Sequence, residues 1–102
     1  MFTVKLQRGR DMKLVQAEEI NIYLAGPADG SDEDPSKRTP AVLSVETIVG
    51  AKSDCFWIAD TKSGPDSRNG ARPKGFAEGV IFYDCAYIEN ERGATTEIVR
   101  PY

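Results

Sequence analysis

Alternation of apolar and polar residues with a period of two limits the fold of this chain more than any other feature. Phe2, Val4 and Leu6 alternate with Thr3, Lys5 and Gln7, the spacing of a strand with one buried face. Arg8-Gly9-Arg10 reads as a tight turn, with glycine supplying positive φ. A three-residue loop there would set Leu6 opposite Met12, Val4 opposite Leu14 and Lys5 opposite Lys13. The run then continues through Leu14 and Val15 to Ile20, Ile22 and Leu24. Ala17-Glu18-Glu19 breaks its alternation, as a bulge or bend does.

The period returns further along. Ala41 to Val49 alternates, with Leu43, Val45 and Val49 expected toward the core and Ser44 and Glu46 toward water. Gly50 to Ser53 reads as a turn. Asp54 to Asp60 is apolar on both faces, as in a central strand. Val80 to Glu89, dense in β-branched and aromatic residues, is the strongest strand signal. Asn90-Glu91-Arg92-Gly93 reads as a type I turn with Gly93 at the αL position of a bulge, leading into a last strand from Thr95 to Tyr102. Pairing Asn90 with Ala94 would set Ala86 opposite Ile98, Cys85 opposite Val99 and Asp84 opposite Arg100. No helical period is sustained and no repeat is visible. The expected fold is therefore all-β: about six mainly antiparallel strands in one small domain, a meander closing into a small barrel or a two-layer sandwich.

Two irregular segments interrupt the strands. Residues 26–40 hold Pro27, Pro35 and Pro40 with Asp29, Asp32, Glu33 and Asp34 against Lys37 and Arg38, a net of −2. Residues 61–79 hold four glycines and two prolines, with Lys62, Arg68, Arg72 and Lys74 against Asp66 and Glu78, a net of +2. A stretch that long without structure of its own is often functional.

Composition narrows the chemistry. At 102 residues, 40% hydrophobic and 28% charged, the chain has the balance of one globular domain. Its formal charge of −3 argues against a bulk electrostatic hold on nucleic acid or anionic lipid. There is no apolar run of membrane-spanning length and no leader-like segment, so a soluble, cytoplasmic protein is expected. No histidine is present, which removes the commonest general base and transition-metal ligand. Two cysteines cannot make a four-thiolate zinc site. An antiparallel register between 54–60 and 80–89 could oppose Cys55 to Cys85, together with Trp57 to Tyr83 and Ala59 to Ile81. In a cytosolic chain, however, two buried reduced thiols are the simpler expectation.

The remaining clusters have bland readings as well as sharp ones. Asp29 to Asp34 lacks the spacing and closing glutamate of a calcium loop, so solvated charge is expected. The basic stretch from Lys62 to Lys74 lacks interleaved aromatics for nucleic acid. Asp54, Asp60 and Asp84 could approach one another, but strand ends and an Asp84–Arg100 pair explain them. With no nucleophile motif or phosphate loop, neither catalysis nor a cofactor is expected. Phe56, Trp57, Phe82, Tyr83 and Tyr87 fall on both faces of two strand segments, so some of them should be exposed.

In style the chain, compact, all-β and closing on the hairpin Tyr87-Ile88-Glu89-Asn90-Glu91-Arg92-Gly93, resembles short open reading frames of phages and other mobile elements. That resemblance carries no functional residue and names no family. The function expected from the residues is a protein-interaction or assembly module without catalysis, contacting a protein partner or a second copy. Its candidate surface is Trp57, Tyr83, Tyr87, Arg68, Arg72, Lys74, Asp32, Glu33 and Asp34. Loops of opposite charge would suit head-to-tail association. The alternative is a small barrel taking a small-molecule ligand under the 61–79 loop, in a pocket lined by Trp57 and the tyrosines. Neither a membrane nor a nucleic-acid partner is expected.

Overall fold

The computed structural model describes residues 1–27, 41–59 and 80–100. Among these residues the chain forms β1 (Phe2–Arg8), β2 (Asp11–Ala17), β3 (Glu19–Pro27), β4 (Ala41–Val49), β5 (Lys52–Ile58), β6 (Phe82–Tyr83), β7 (Cys85–Glu89) and β8 (Thr95–Val99), with no helix. They make two four-stranded sheets: sheet I in the order β2-β1-β7-β8, and sheet II in the order β3-β4-β5-β6. Every pairing is antiparallel except β5 with β6. The sheets do not close on themselves. The fold is a two-layer sandwich, and the barrel expected as its alternative does not form.

Two breaks turn the six expected strands into eight. At Glu18 the chain leaves sheet I and enters sheet II. The Glu18 amide donates to the Ile48 carbonyl at 2.8 Å, and its carboxylate accepts from the Gly50 amide at 3.1 Å, which locks the crossing against the β4–β5 turn. Asp84 divides Val80 to Glu89 in the same way. Phe82 and Tyr83 pair with β5, and Cys85 onward pairs with β1. Asp84 itself donates its amide to the Gln7 carbonyl at 2.7 Å and accepts from the Gly9 amide at 2.7 Å. It therefore does not pair with Arg100. The expected loop also starts late, because β3 runs on through Gly26 and Pro27.

The core lies between the sheets. Val4 and Leu6 of β1, Val45 of β4, Ile58 of β5, Ala86 and Ile88 of β7 and Val99 of β8 are buried together, with Ile20, Ile22, Leu43, Phe56 and Tyr83 packed against them. A smaller cluster of Val42, Ala59 and Phe82, flanked by Trp57 and Val80, is also buried. Ser44, expected to face water, is 6% exposed, whereas Val49, expected inside, is exposed. Ser44 pairs with Trp57 across β4 and β5, so it shares the covered face of that second cluster.

Three registers differ from the sequence reading. At the first hairpin Gly9 has a φ of 59° and no other residue of the turn has positive φ. That is a two-residue turn with glycine first, and the closing pair is Arg8 with Asp11. Val4 then faces Val15 and Leu6 faces Lys13, so Met12 and Leu14 turn outward instead of joining Leu6 and Val4. The Lys13 stem follows the inner face, and its ammonium sits 5.4 Å from the centre of the Phe56 ring. Next, β5 and β6 run parallel, with Trp57 beside Phe82 and Ile58 beside Tyr83. Cys55 and Cys85 consequently lie on different sheets as free thiols, Cys55 exposed rather than buried.

The last hairpin closes as expected and then slips by one. Asn90 and Ala94 pair, with the Asn90 amide donating to the Ala94 carbonyl at 3.0 Å, and Gly93 takes a φ of 79°. Thr96 is then bulged out, its hydroxyl donating to the Ile88 carbonyl at 3.2 Å. Val99 thereby comes opposite Ala86, and Ile98 comes opposite Tyr87. The Asn90 side chain holds this turn by accepting from the amides of Arg92 at 2.9 Å and Ala94 at 3.1 Å. Asn90→Ala should cost about 1 kcal/mol. Chemical denaturation should show it as a lower midpoint with an unchanged m-value.

Candidate functional site

The outer face of sheet I follows from that register. Odd-numbered residues of β1 and β7 point away from the core, which aligns Leu14, Lys5, Tyr87 and Ile98 across the four strands. A second row runs Met12, Gln7, Cys85, and a third runs Gln16, Thr3, Glu89. Leu14 is 61% exposed, Met12 48% and Ile98 47%. Lys5 and Glu89 form an ion pair at 2.9 Å between them. Gln16 donates to the Thr3 hydroxyl at 3.1 Å, and the Cys85 thiol donates to Gln7 Oε1 at 3.5 Å. The Cys85 sulfur beside Tyr87 raises that phenol above its usual 10.0, with Arg100 acting in the opposite sense. The face is thus apolar at both edges and polar, internally paired, along its middle.

The outer face of sheet II carries a different group. Asn21, Glu46 and Cys55 align across β3, β4 and β5. Glu46 Oε2 accepts from Asn21 at 3.1 Å and from the Tyr23 hydroxyl at 3.3 Å. The Glu46 carboxylate raises the Tyr23 pKa above 10.0. The contribution of this contact to stability is therefore complete below pH 10 and lost as pH rises through the raised value. Glu46→Gln should move the alkaline tyrosinate transition in the near-ultraviolet to lower pH. A transition that stays in place would mean that Glu46 does not act on Tyr23.

The expected aromatic surface is divided among three places. Trp57 packs against the Val42, Ala59 and Phe82 cluster. Tyr83 packs against the main core, edge-on to Phe56 at 6.3 Å between ring centres. Tyr87 alone of the three stands on the outer face of sheet I. Arg68, Arg72, Lys74, Asp32, Glu33 and Asp34 lie outside the described residues, as do most of the two loops that carry them. A groove of about 400 Å³ opens between Met1, Phe2, Asn90, Glu91 and Arg92, and Trp57, Tyr83 and Tyr87 are not among these lining residues. Among the described residues no helix is long and apolar enough to cross a membrane.

Sequence reasoning missed Met12, Leu14 and Ile98 as surface residues because both hairpin registers were off by one, and one step moves a side chain to the other face. The signal was present in Arg8-Gly9-Arg10-Asp11, where a two-residue loop brings Arg8 opposite Asp11. Comparison with protein-family models, curated proteins and solved structures gives no match.

Proposed function

We propose that this chain is a protein-interaction or assembly module that performs no catalysis. The observation that carries this reading is the exposure of Met12, Leu14 and Ile98 on one face of sheet I, at both of its edges. Exposed apolar side chains along the two margins of one sheet face favour contact with another apolar surface. Burying an exposed leucine contributes about 1.5–3 kcal/mol, so a few such residues suffice for a specific contact. The polar side chains of the face, Lys5 with Glu89 in its middle and Gln16 of β2 with Thr3, already have partners, which lowers the cost of covering them.

Light scattering on the full chain, over ranges of concentration and salt, tests the self-association form of this reading. A mass above that of the 11.2 kDa chain is expected. The double variant Leu14→Ser, Ile98→Ser should lower it, since both side chains are exposed in the single chain. A chain that stays single at every concentration would count against self-association.

A further inference from the structure

The sheet edges differ in how they resist pairing with another strand. β3 shifts register between Leu24 and Gly26 and ends in Pro27. β6 is two residues long. β8 is bulged beside Ile88 and Glu89. Bulges, prolines, shortness and charged side chains are the usual means by which an edge is blunted. β2 has none of the first three. Its seven residues pair with β1 without a register shift, and it contains neither glycine nor proline. Its one lysine, Lys13, is a charge on the inner side of the strand, exposed with its ammonium over the Phe56 ring, so it does not cap the outward amides and carbonyls.

The hydrogen-bond phase of that edge is fixed by the turn. A two-residue loop makes Arg8 and Asp11 a hydrogen-bonded pair, and such pairs then alternate: Leu6 with Lys13, and Val4 with Val15. The Gln7 carbonyl confirms the phase, since it points the other way and accepts from Asp84. Met12, Leu14 and Gln16 must therefore direct their amides and carbonyls outward, with no strand beside them among the described residues.

We propose that β2 pairs antiparallel with β2 of a second copy about a two-fold axis at Leu14, joining the two copies of sheet I into one continuous sheet. This rests on the assembly reading above and names its partner. Leu14 meets Leu14 of the second copy, and Met12 meets Gln16 in both directions. All three outward-facing residues thus exchange backbone bonds. Lys13 faces Val15, and Asp11 faces Ala17. Just beyond the paired strands, Arg10 of the turn lies toward the end at which Glu18 of the second copy leaves the sheet, so opposite charges share each end of the contact. Neighbouring registers fit less well. An axis at Lys13 opposes lysine to lysine, and an axis at Met12 leaves Gln16 unpaired. The contact is only one strand wide, so the dimer forms with rising concentration.

The test uses the full chain with Leu14→Lys and Leu14→Glu, each alone and then mixed in equal amounts. Light scattering from micromolar to millimolar concentration should give twice the chain mass for the wild type and the single-chain mass for each variant. The mixture should return to the doubled mass, because lysine then faces glutamate at the axis. Amide exchange of Met12, Leu14 and Gln16 gives a second readout that needs no variant, and it should slow as the wild type is concentrated. A wild type that stays single to millimolar concentration would overturn both this pairing and self-association. An oligomer that persists in Leu14→Lys would overturn the β2 pairing and leave the assembly reading intact. Two single-chain variants that do not recover on mixing would refute the axis at Leu14.

Discussion

Leu6→Ala is expected to destabilise the protein by about 2–5 kcal/mol, while Leu14→Ala should change stability by no more than about 0.5 kcal/mol at concentrations where the chain is single. Both leucines belong to one hairpin, eight positions apart. Leu6 is fully buried between Val4, Ala86 and the facing sheet, and its removal leaves a cavity that rigid strands on either side cannot fill. Leu14 stands 61% exposed on the opposite face. In a chain this size the loss at Leu6 corresponds to a fall in Tm of roughly 8 °C or more. Equal losses at the two positions would mean that the hairpin holds the other register, with Leu14 inside.

Val45→Asp should abolish cooperative unfolding at neutral pH. Val45 is fully buried on β4, opposite Ile22 on one side and Phe56 on the other. A carboxylate there would have no described partner, and a buried charge of that kind costs more than about 4 kcal/mol. A whole domain has only about 5–15 kcal/mol to lose. Acidification to the point where the new carboxyl takes up a proton should recover part of the loss, because the neutral form is cheaper to bury. The same change at Leu24, 69% exposed, should shift stability by no more than about 0.5 kcal/mol. Circular dichroism across a thermal ramp, with both variants side by side, checks the pair.

The architecture was legible because it rests on patterns that a sequence displays directly. Period-two alternation marked the strands up to Val49, apolar and β-branched density marked 54–60 and 80–89, and Asn90 with Gly93 marked the last turn. Strand count was less visible. Glu18 and Asp84 each end one strand and begin another in the opposite sheet, and an acidic residue at such a break looks locally like a bulge. Register was least visible, since it depends on a single residue at each turn. The extra residue at Thr96 and the missing one at Arg8-Gly9-Arg10-Asp11 each exchanged inside for outside along a strand. Those two steps hid the apolar edges of sheet I. The parallel pairing of β5 with β6 was invisible for another reason, as nothing local distinguishes it from an antiparallel return.

The placement of β1 between β2 and β7 has a consequence for how the molecule is made. Thr3 pairs with Glu89 and Gln7 with Cys85, so the middle of sheet I joins segments that lie near opposite ends of the sequence. The chain must therefore close a very long loop before β1 and β7 can pair and sheet I can be completed. Folding in milliseconds to seconds is expected from such non-local β topology, rather than the microseconds of helical bundles. During that interval the hairpin of β1 and β2 stands with both edges open and one apolar face uncovered, and the delay becomes the period of greatest exposure to misassembly.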